Sequence, residues 1–200
     1  MDRVRIEKRL DELKDVGAAA NKRTAKSRAA RATPLPGLIG RVNVRDQDAG
    51  IIVTYQPGYT ITQEDVQKLQ AAAGASAGDS WRIDMLGILT LAADSQVQLR
   101  HVGGSASGGV HTLFIGSQSV SEIGDDRSKD DTRQLPLLKG QYPIRWTLTG
   151  GDLGTARMSL VPVDAAGNPQ VGVAAIQYLR EMNVLTRSIP YKTEIKWGTE

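Results

Sequence analysis

LPLLKGQYPIRWTLTGGDLGTARMSLV, residues 135–161, decides the fold class. Lys139-Gly140 supplies a turn, after which Tyr142, Ile144, Trp146 and Leu148 fall on alternate positions. Strand side chains point to opposite faces with period 2, so these four share one core face. The glycine-rich TGGDLG then makes a second turn, and ARMSLVPV resumes as another strand.

The same grammar extends outward in both directions. WRIDML, ILTLAA, QVQLRHV, VHTLFIG, QSVSEI and RQLPLL precede this stretch as short strands, and VGVAAI follows it. LGI, GGSASGG, GDDRSKDD and DAAGNP read as further turns between them. Further upstream, GRVNVRDQDAGIIVTY is a strand pair around a DQDAG turn. Short strands so punctuated imply a mainly β chain, an antiparallel β-sandwich or barrel, of which we take the sandwich. One short helix interrupts it. Thr62 caps that helix, Asp65 stands at the capping-box position, Val66, Leu69 and Ala73 share a face, and Gly74 closes it.

HVGGSASGGVH, residues 101–111, is a palindrome with the chain's two histidines at its ends. As a hairpin centred on Ala106 it sets His101 opposite His111, Leu99 opposite Leu113 and Val97 opposite Ile115. The histidines then form the outermost pair of an inward-facing row. A two-histidine metal site would need a third protein ligand, which no local spacing supplies. We favour imidazoles that cover the core's edge at a hairpin tip.

Charge is distributed unevenly. Residues 1–33 carry ten Lys/Arg and five Asp/Glu, out of 25 and 22 in the whole chain, so the arm is basic and the body nearly neutral. Ile6, Leu10 and Leu13 form a thin apolar seam, which predicts an amphipathic helical arm suited to docking. Lys22, Arg23, Lys26, Arg28 and Arg31 follow without an acid between them. They make the arm a partner-binding element, with nucleic acid disfavoured because no aromatic is interleaved to stack on bases. Pro34 and Pro36 end the arm. The expected organisation is an arm over 1–33, a β-sandwich over 34–180, and a tail or added strand over 181–200.

Cysteine is absent, which excludes disulfides, zinc–thiolate sites and a thiol nucleophile. No apolar run reaches the roughly 18 residues of a spanning helix. The opening DRVRIEKRLDELKD is charged, unlike a signal peptide. Nucleophile-elbow, P-loop, dinucleotide and H-E-x-x-H signatures are missing, so a non-catalytic protein is expected. In GDDRSKDD, Asp125, Asp126, Asp130 and Asp131 could gather calcium, but Arg127 and Lys129 offset half their charge, and a solvated turn is favoured.

Read in order, the strands resemble the protective-antigen-type domain, a β-sandwich module of bacterial toxins, β-glucosidases and fungal adhesins. PGLIGRV is similar to its "G-L-x-G" opening, WRIDMLGILTL to its early "R-W-x-G-x-L" strand and HTLFIGSQSV to its "R-L-x-I-D-G-x-x-V" strand. Residues 135–161 resemble its "L-x-A-G-x-Y-x-I-x-x-x-Y" strand with the glycine-rich turn and "A-x-L-x-L" strand that follow. The resemblance covers about residues 36–180. It implies a bacterial extracellular or surface setting and a glycan or surface polymer as ligand. The alternative is a structural subunit, held to its neighbours or to further copies through the arm and tail. Sugar-binding members use calcium held by adjacent aspartates, where this chain has Asp94 alone. Asp94, with Asp125 and Asp126, is therefore the metal candidate of a degraded motif, and no cofactor is expected. Trp81, Tyr55 and Tyr59 lie near predicted loops and, with Asp94, are the candidate ligand-binding residues.

Overall fold

The computed structural model describes residues 33–76, 78–104, 109–124, 130–150, 155–180 and 192–198. The helical arm expected over residues 1–33, with Ile6, Leu10, Leu13, Lys22, Arg23, Lys26, Arg28 and Arg31, lies outside them. So do Asp125, Asp126 and the centre of the palindrome.

Among the described residues, twelve strands and one helix follow one another: β1 (Leu35–Pro36), β2 (Leu38–Val44), β3 (Gln47–Tyr55), α1 (Gln63–Ala73), β4 (Trp81–Leu91) and β5 (Ser95–Gly104). Then come β6 (Val110–Ile115), β7 (Gln118–Ile123), β8 (Asp130–Leu137), β9 (Gly140–Gly150), β10 (Thr155–Val163), β11 (Ala174–Tyr178) and β12 (Thr193–Trp197). They form a nine-stranded sheet with the path β12-β3-β2-β4-β9-β6-β7, to which β1 and β11 attach, and a three-stranded sheet β10-β5-β8. Neither sheet closes on itself, so the fold is a sandwich and not a barrel. One pair departs from the antiparallel expectation, since β12 runs parallel to β3, Trp197 pairing with Tyr55.

Alternation explains why the two sheets meet. Trp81, Ile83, Met85, Leu89 and Leu91 of β4 are buried while the residues between them are not. Ile144, Trp146 and Leu148 do the same on β9, and Val97, Leu99 and His101 on β5. One apolar cluster joins these faces across the sandwich. Each large side chain so buried contributes roughly 1.5–3 kcal/mol. The helix α1 lies against the core through Val66 and Leu69. Its capping box is complete: Thr62 N–H donates to Asp65 (2.8 Å) and Asp65 N–H donates to Thr62 Oγ1 (3.3 Å), while Gly74, at φ 63°, ends it.

Three turn readings are corrected. The β2–β3 turn is Arg45-Asp46, both left-handed (φ 50° and 59°), so DQDAG is mostly strand. A two-residue turn of this hand matches the strand twist. The LGI segment is no turn at all, because β4 runs unbroken through Gly87. There the edge of β4 changes partner, from β2 over Trp81–Leu86 to β11 over Ile88–Leu91. A Cβ on Gly87 would meet Leu38 Cδ2 at 2.4 Å and the carbonyl oxygens of Gln177 and Gly37 at 3.2 and 3.3 Å. Glycine is required by close approach and not by φ. The third correction concerns the palindrome. β5 pairs with β10 and β8, whereas β6 pairs with β9 and β7. β5 and β6 lie in different sheets, and no hairpin register links residues 97–101 to 111–115.

Gly87→Ala is expected to destabilise the fold by about 1–3 kcal/mol, the usual cost of overpacking a core. Leu38, whose Cδ2 is the atom met most closely, is a fully buried side chain. Urea unfolding of the full chain measures it, and a loss below about 0.5 kcal/mol would show that the strand junction can yield.

Candidate functional site

The structure removes two of the three candidate aromatics from the surface. Trp81 is 3% exposed, the first inward residue of β4, paired with Val44 and Gly150. Tyr55 is 1% exposed, its ring 4.9 Å from that of Trp146. Its hydroxyl donates to the Tyr59 carbonyl (2.8 Å) and accepts from Met158 N–H (3.0 Å), tying the two sheets together. Burial raises its pKa to about 12. Both side chains alternate inward with their strands, so neither offers a face to a ligand. Tyr59 is half-buried and donates to Asp65 at the helix cap (3.1 Å). Asp94 stands apart from all three: its carboxylate accepts Lys139 N–H (2.7 Å) and fastens the β8–β9 turn. The site expected from these four residues is not assembled. Among the described residues no three His, Asp or Glu side chains gather as a metal site would need.

The histidines do meet, but in the interior and not at an edge. His101 and His111 are 0% and 1% exposed, with ring centroids 6.2 Å apart across the two sheets. Trp146 Nε1 donates to His101 Nε2 (3.0 Å), so the neutral imidazole carries its proton on Nδ1 and gives it to Ser121 Oγ (2.8 Å). Both nitrogens of His101 are thereby occupied, which leaves none for a metal. Both nitrogens of His111 are buried without a partner. Burial pushes the pKa of His101 down to about 3, helped by the neighbouring His111, and that of His111 to about 4.

With the core closed, the open faces carry what chemistry remains. The outward positions of the three-stranded sheet are Gln98 and Arg100 on β5, Thr132 on β8, and Arg157 and Ser159 on β10. Register makes them one surface. Ser159 and Thr132 flank Arg100 on either side, and Arg157 stands diagonally next to it across Val102. Together with Asp130 and Val161 they line a groove of about 350 Å³. Its side chains are hydrogen-bonding groups aimed at solvent. A second concavity, bounded by Pro57, Pro162, Pro169, Val171 and Ile176, is mainly apolar. A third lies beside the β2–β3 turn, where Arg45 is already paired with Asp79 (2.7 Å). The groove residues were missed in the sequence because only their alternation is local. Which strands lie side by side is set by pairings about 30 to 60 residues apart.

No protein-family model matches the chain, and no curated protein matches it in sequence. Solved structures are similar in shape. The GH31 α-xylosidase from Xanthomonas citri shares the fold over 74% of this chain and 17% of its own, at 11% identity and a TM-score of 0.51. A β-glucosidase from Streptomyces venezuelae, solved with D-glucose, matches 68% of this chain over 14% of its own (16% identity, TM-score 0.36). A PA14 sugar-binding domain from an RTX adhesin is covered over 94% of its length by 68% of this chain (15% identity, TM-score 0.39). The chain thus spans less than a fifth of either glycosidase. At 11% identity the likeness to the α-xylosidase is one of fold alone.

The buried histidines generate a pH prediction. Below pH 6.5 the unfolded chain binds protons that the native core refuses, so stability falls as pH falls, down to the native values near 4 and 3. Each histidine costs about 1.4 kcal/mol per pH unit inside that window. His111→Leu removes two unpartnered polar atoms. It should flatten the decline in melting temperature between about pH 7 and pH 4.5 to a visibly shallower slope than wild type. Equal slopes would mean that His111 titrates normally in the fold.

Proposed function

We propose that the chain is a non-catalytic carbohydrate-binding module that recognises a glycan or surface polymer at the groove on the three-stranded sheet. The order of the protective-antigen-type motifs supports the class, and the fold is consistent with it. The observation that carries the site is the groove itself. Gln98, Thr132 and Ser159 project side-chain amide and hydroxyl groups from three adjacent strands, at strand spacing, onto one face. Sugars present hydroxyl groups along a chain, and a row of fixed donors and acceptors on a rigid sheet suits them better than a loop does. An open groove suits a polymer, which continues past the site at both ends.

The setting is a bacterial surface or the extracellular space, with the basic arm over residues 1–33 as the element that joins the module to its partner. The reading invokes no calcium: where sugar-binding family members hold the ion with adjacent aspartates this chain has Asp94 alone, one oxygen of which accepts Lys139 N–H.

Screening the full chain on a glycan array, followed by titration calorimetry on the best ligand, tests this. The Gln98→Ala/Ser159→Ala double variant should lose about tenfold in affinity, since one net hydrogen bond contributes about 1 kcal/mol. Gln141→Ala, on an exposed position of β9, should change nothing, and neither should a chelator. An array without a specific ligand, or a double variant that binds as wild type does, would overturn the reading.

A further inference from the structure

Resting on that reading, we infer that the groove selects acidic glycans, saccharides bearing a carboxylate or sulfate group, through Arg100 and Arg157.

The inference comes from which arginines the protein leaves unpaired. Arg41 is bound to Asp48, Arg45 to Asp79, Arg82 to Asp84, Arg133 to Asp131 and Arg180 to Glu194. Arg145 lies 4.0 Å over the ring of Phe114. Among the described residues, Arg100 and Arg157 alone of the arginines have no such partner, and both line the same groove. They sit on adjacent strands in diagonal register, Arg157 opposite Val102 and Arg100 opposite Ser159. Residues so placed are diagonal neighbours on one sheet face, roughly 7–8 Å apart, within the span of two long arginine side chains turned toward one anion or two neighbouring acidic sugars.

Arg157 is the more telling of the two. It is half-buried, its Nε is shut from solvent with no acceptor, and Nη2 lies 3.9 Å from where a Gly58 Cβ would stand. The side chain lines the groove, while its Nη2 reaches the Gly58 loop along the edge of β10 away from β5. A buried donor left unserved costs about 1–3 kcal/mol, which selection tolerates where the group has another use. Asp130 is the groove's one carboxylate, accepts from Thr132 Oγ1 (2.8 Å), and stands across Val102 from Arg157. Two guanidinium groups against one carboxylate leave the groove net positive, on a body that is otherwise near neutral. A planar guanidinium matches a carboxylate or sulfate with two parallel hydrogen bonds, which a neutral hydroxyl cannot return.

The test titrates the full chain with trigalacturonic acid, its methyl ester and a sulfated galactose trisaccharide. The acid should bind at least about tenfold more tightly than the ester, because hydrogen bonds to charged groups are the stronger class. Arg100→Gln and Arg157→Gln, checked for unchanged melting temperature, should each remove most of that preference. Binding of the sulfated sugar alone in the same Arg-dependent way would assign the charge to a sulfate ester and also supports the inference. Acid and ester binding equally, with the Gln98/Ser159 variant still impaired, would sink the acidic class while leaving the groove as a glycan site. A preference lost on Lys22→Ala/Arg23→Ala/Lys26→Ala but kept in the groove variants would place it on the arm and overturn it. Failure of all three saccharides would overturn it too, and the array result would then decide the groove separately.

Discussion

The buried indole of Trp146 takes its acceptor from the opposite sheet. Trp146 stands on β9 of the large sheet, and the acceptor is His101 on β5 of the small one. His101 in turn donates to Ser121 on β7, back in the large sheet. The chain of three groups therefore crosses the core twice. Each bond contributes about 1 kcal/mol net, but breaking one leaves a buried polar atom exposed to that penalty without compensation. That asymmetry fixes the alignment of the two sheets. A slip of one residue on β9 would carry Tyr142, Ile144, Trp146 and Leu148 to the solvent face together. The Tyr55 hydroxyl, held by Met158 on β10, repeats the arrangement elsewhere in the core. Register across the sandwich is thus set by polar groups inside an apolar layer, where they have few alternatives.

Fixing the inner face also fixes the outer one. Because alternation is strict, Val97, Leu99 and His101 cannot point inward without Gln98 and Arg100 pointing outward. Likewise Ala156, Met158 and Leu160 commit Arg157 and Ser159 to the surface of β10. The groove is the reverse side of the core, and its side chains inherit the rigidity of the pairing beneath them. The edge at β8 is protected by similar means. Asp130, Asp131, Arg133 and Pro136 line that strand, and charge together with proline discourages a further strand from adding there.

Local patterns in the sequence were sufficient where the physics is local. The capping box at Thr62 and Asp65, the glycine stop at Gly74 and the inward row on β9 all depend on residues within a few positions of one another. The palindrome failed for the opposite reason. Its symmetry is a property of the string, while the partners of β5 and β6 lie elsewhere in the chain and in different sheets. Gly87 misled similarly, since a glycine demanded by the close approach of Leu38 and Gln177 has the same letter as one demanded by a turn. The aromatic site was misplaced because Trp81 and Tyr55 border loops in sequence yet alternate inward in space. Nothing near Arg100 in the chain announces that Arg157 stands diagonally beside it.

Among the described residues, the groove's two arginines differ from the rest in having neither a carboxylate partner nor, like Arg145, an aromatic ring beneath the guanidinium. Arg45 and Arg180 are about as open to solvent as a surface arginine usually is, and each has still found a carboxylate. Exposed pairs contribute little, typically under about 1 kcal/mol, so stability alone gives weak reason to make them or to avoid them. The fold therefore gains little from pairing Arg100 and Arg157, which have no carboxylate partner among the described residues and face the acidic ligand only in the proposal above. Arg157 is part-buried, and its Nε has no acceptor among the described residues. In the proposed reading, Arg100 and Arg157 set the specificity of this surface by charge, and Gln98, Thr132 and Ser159 read the neutral part of the ligand.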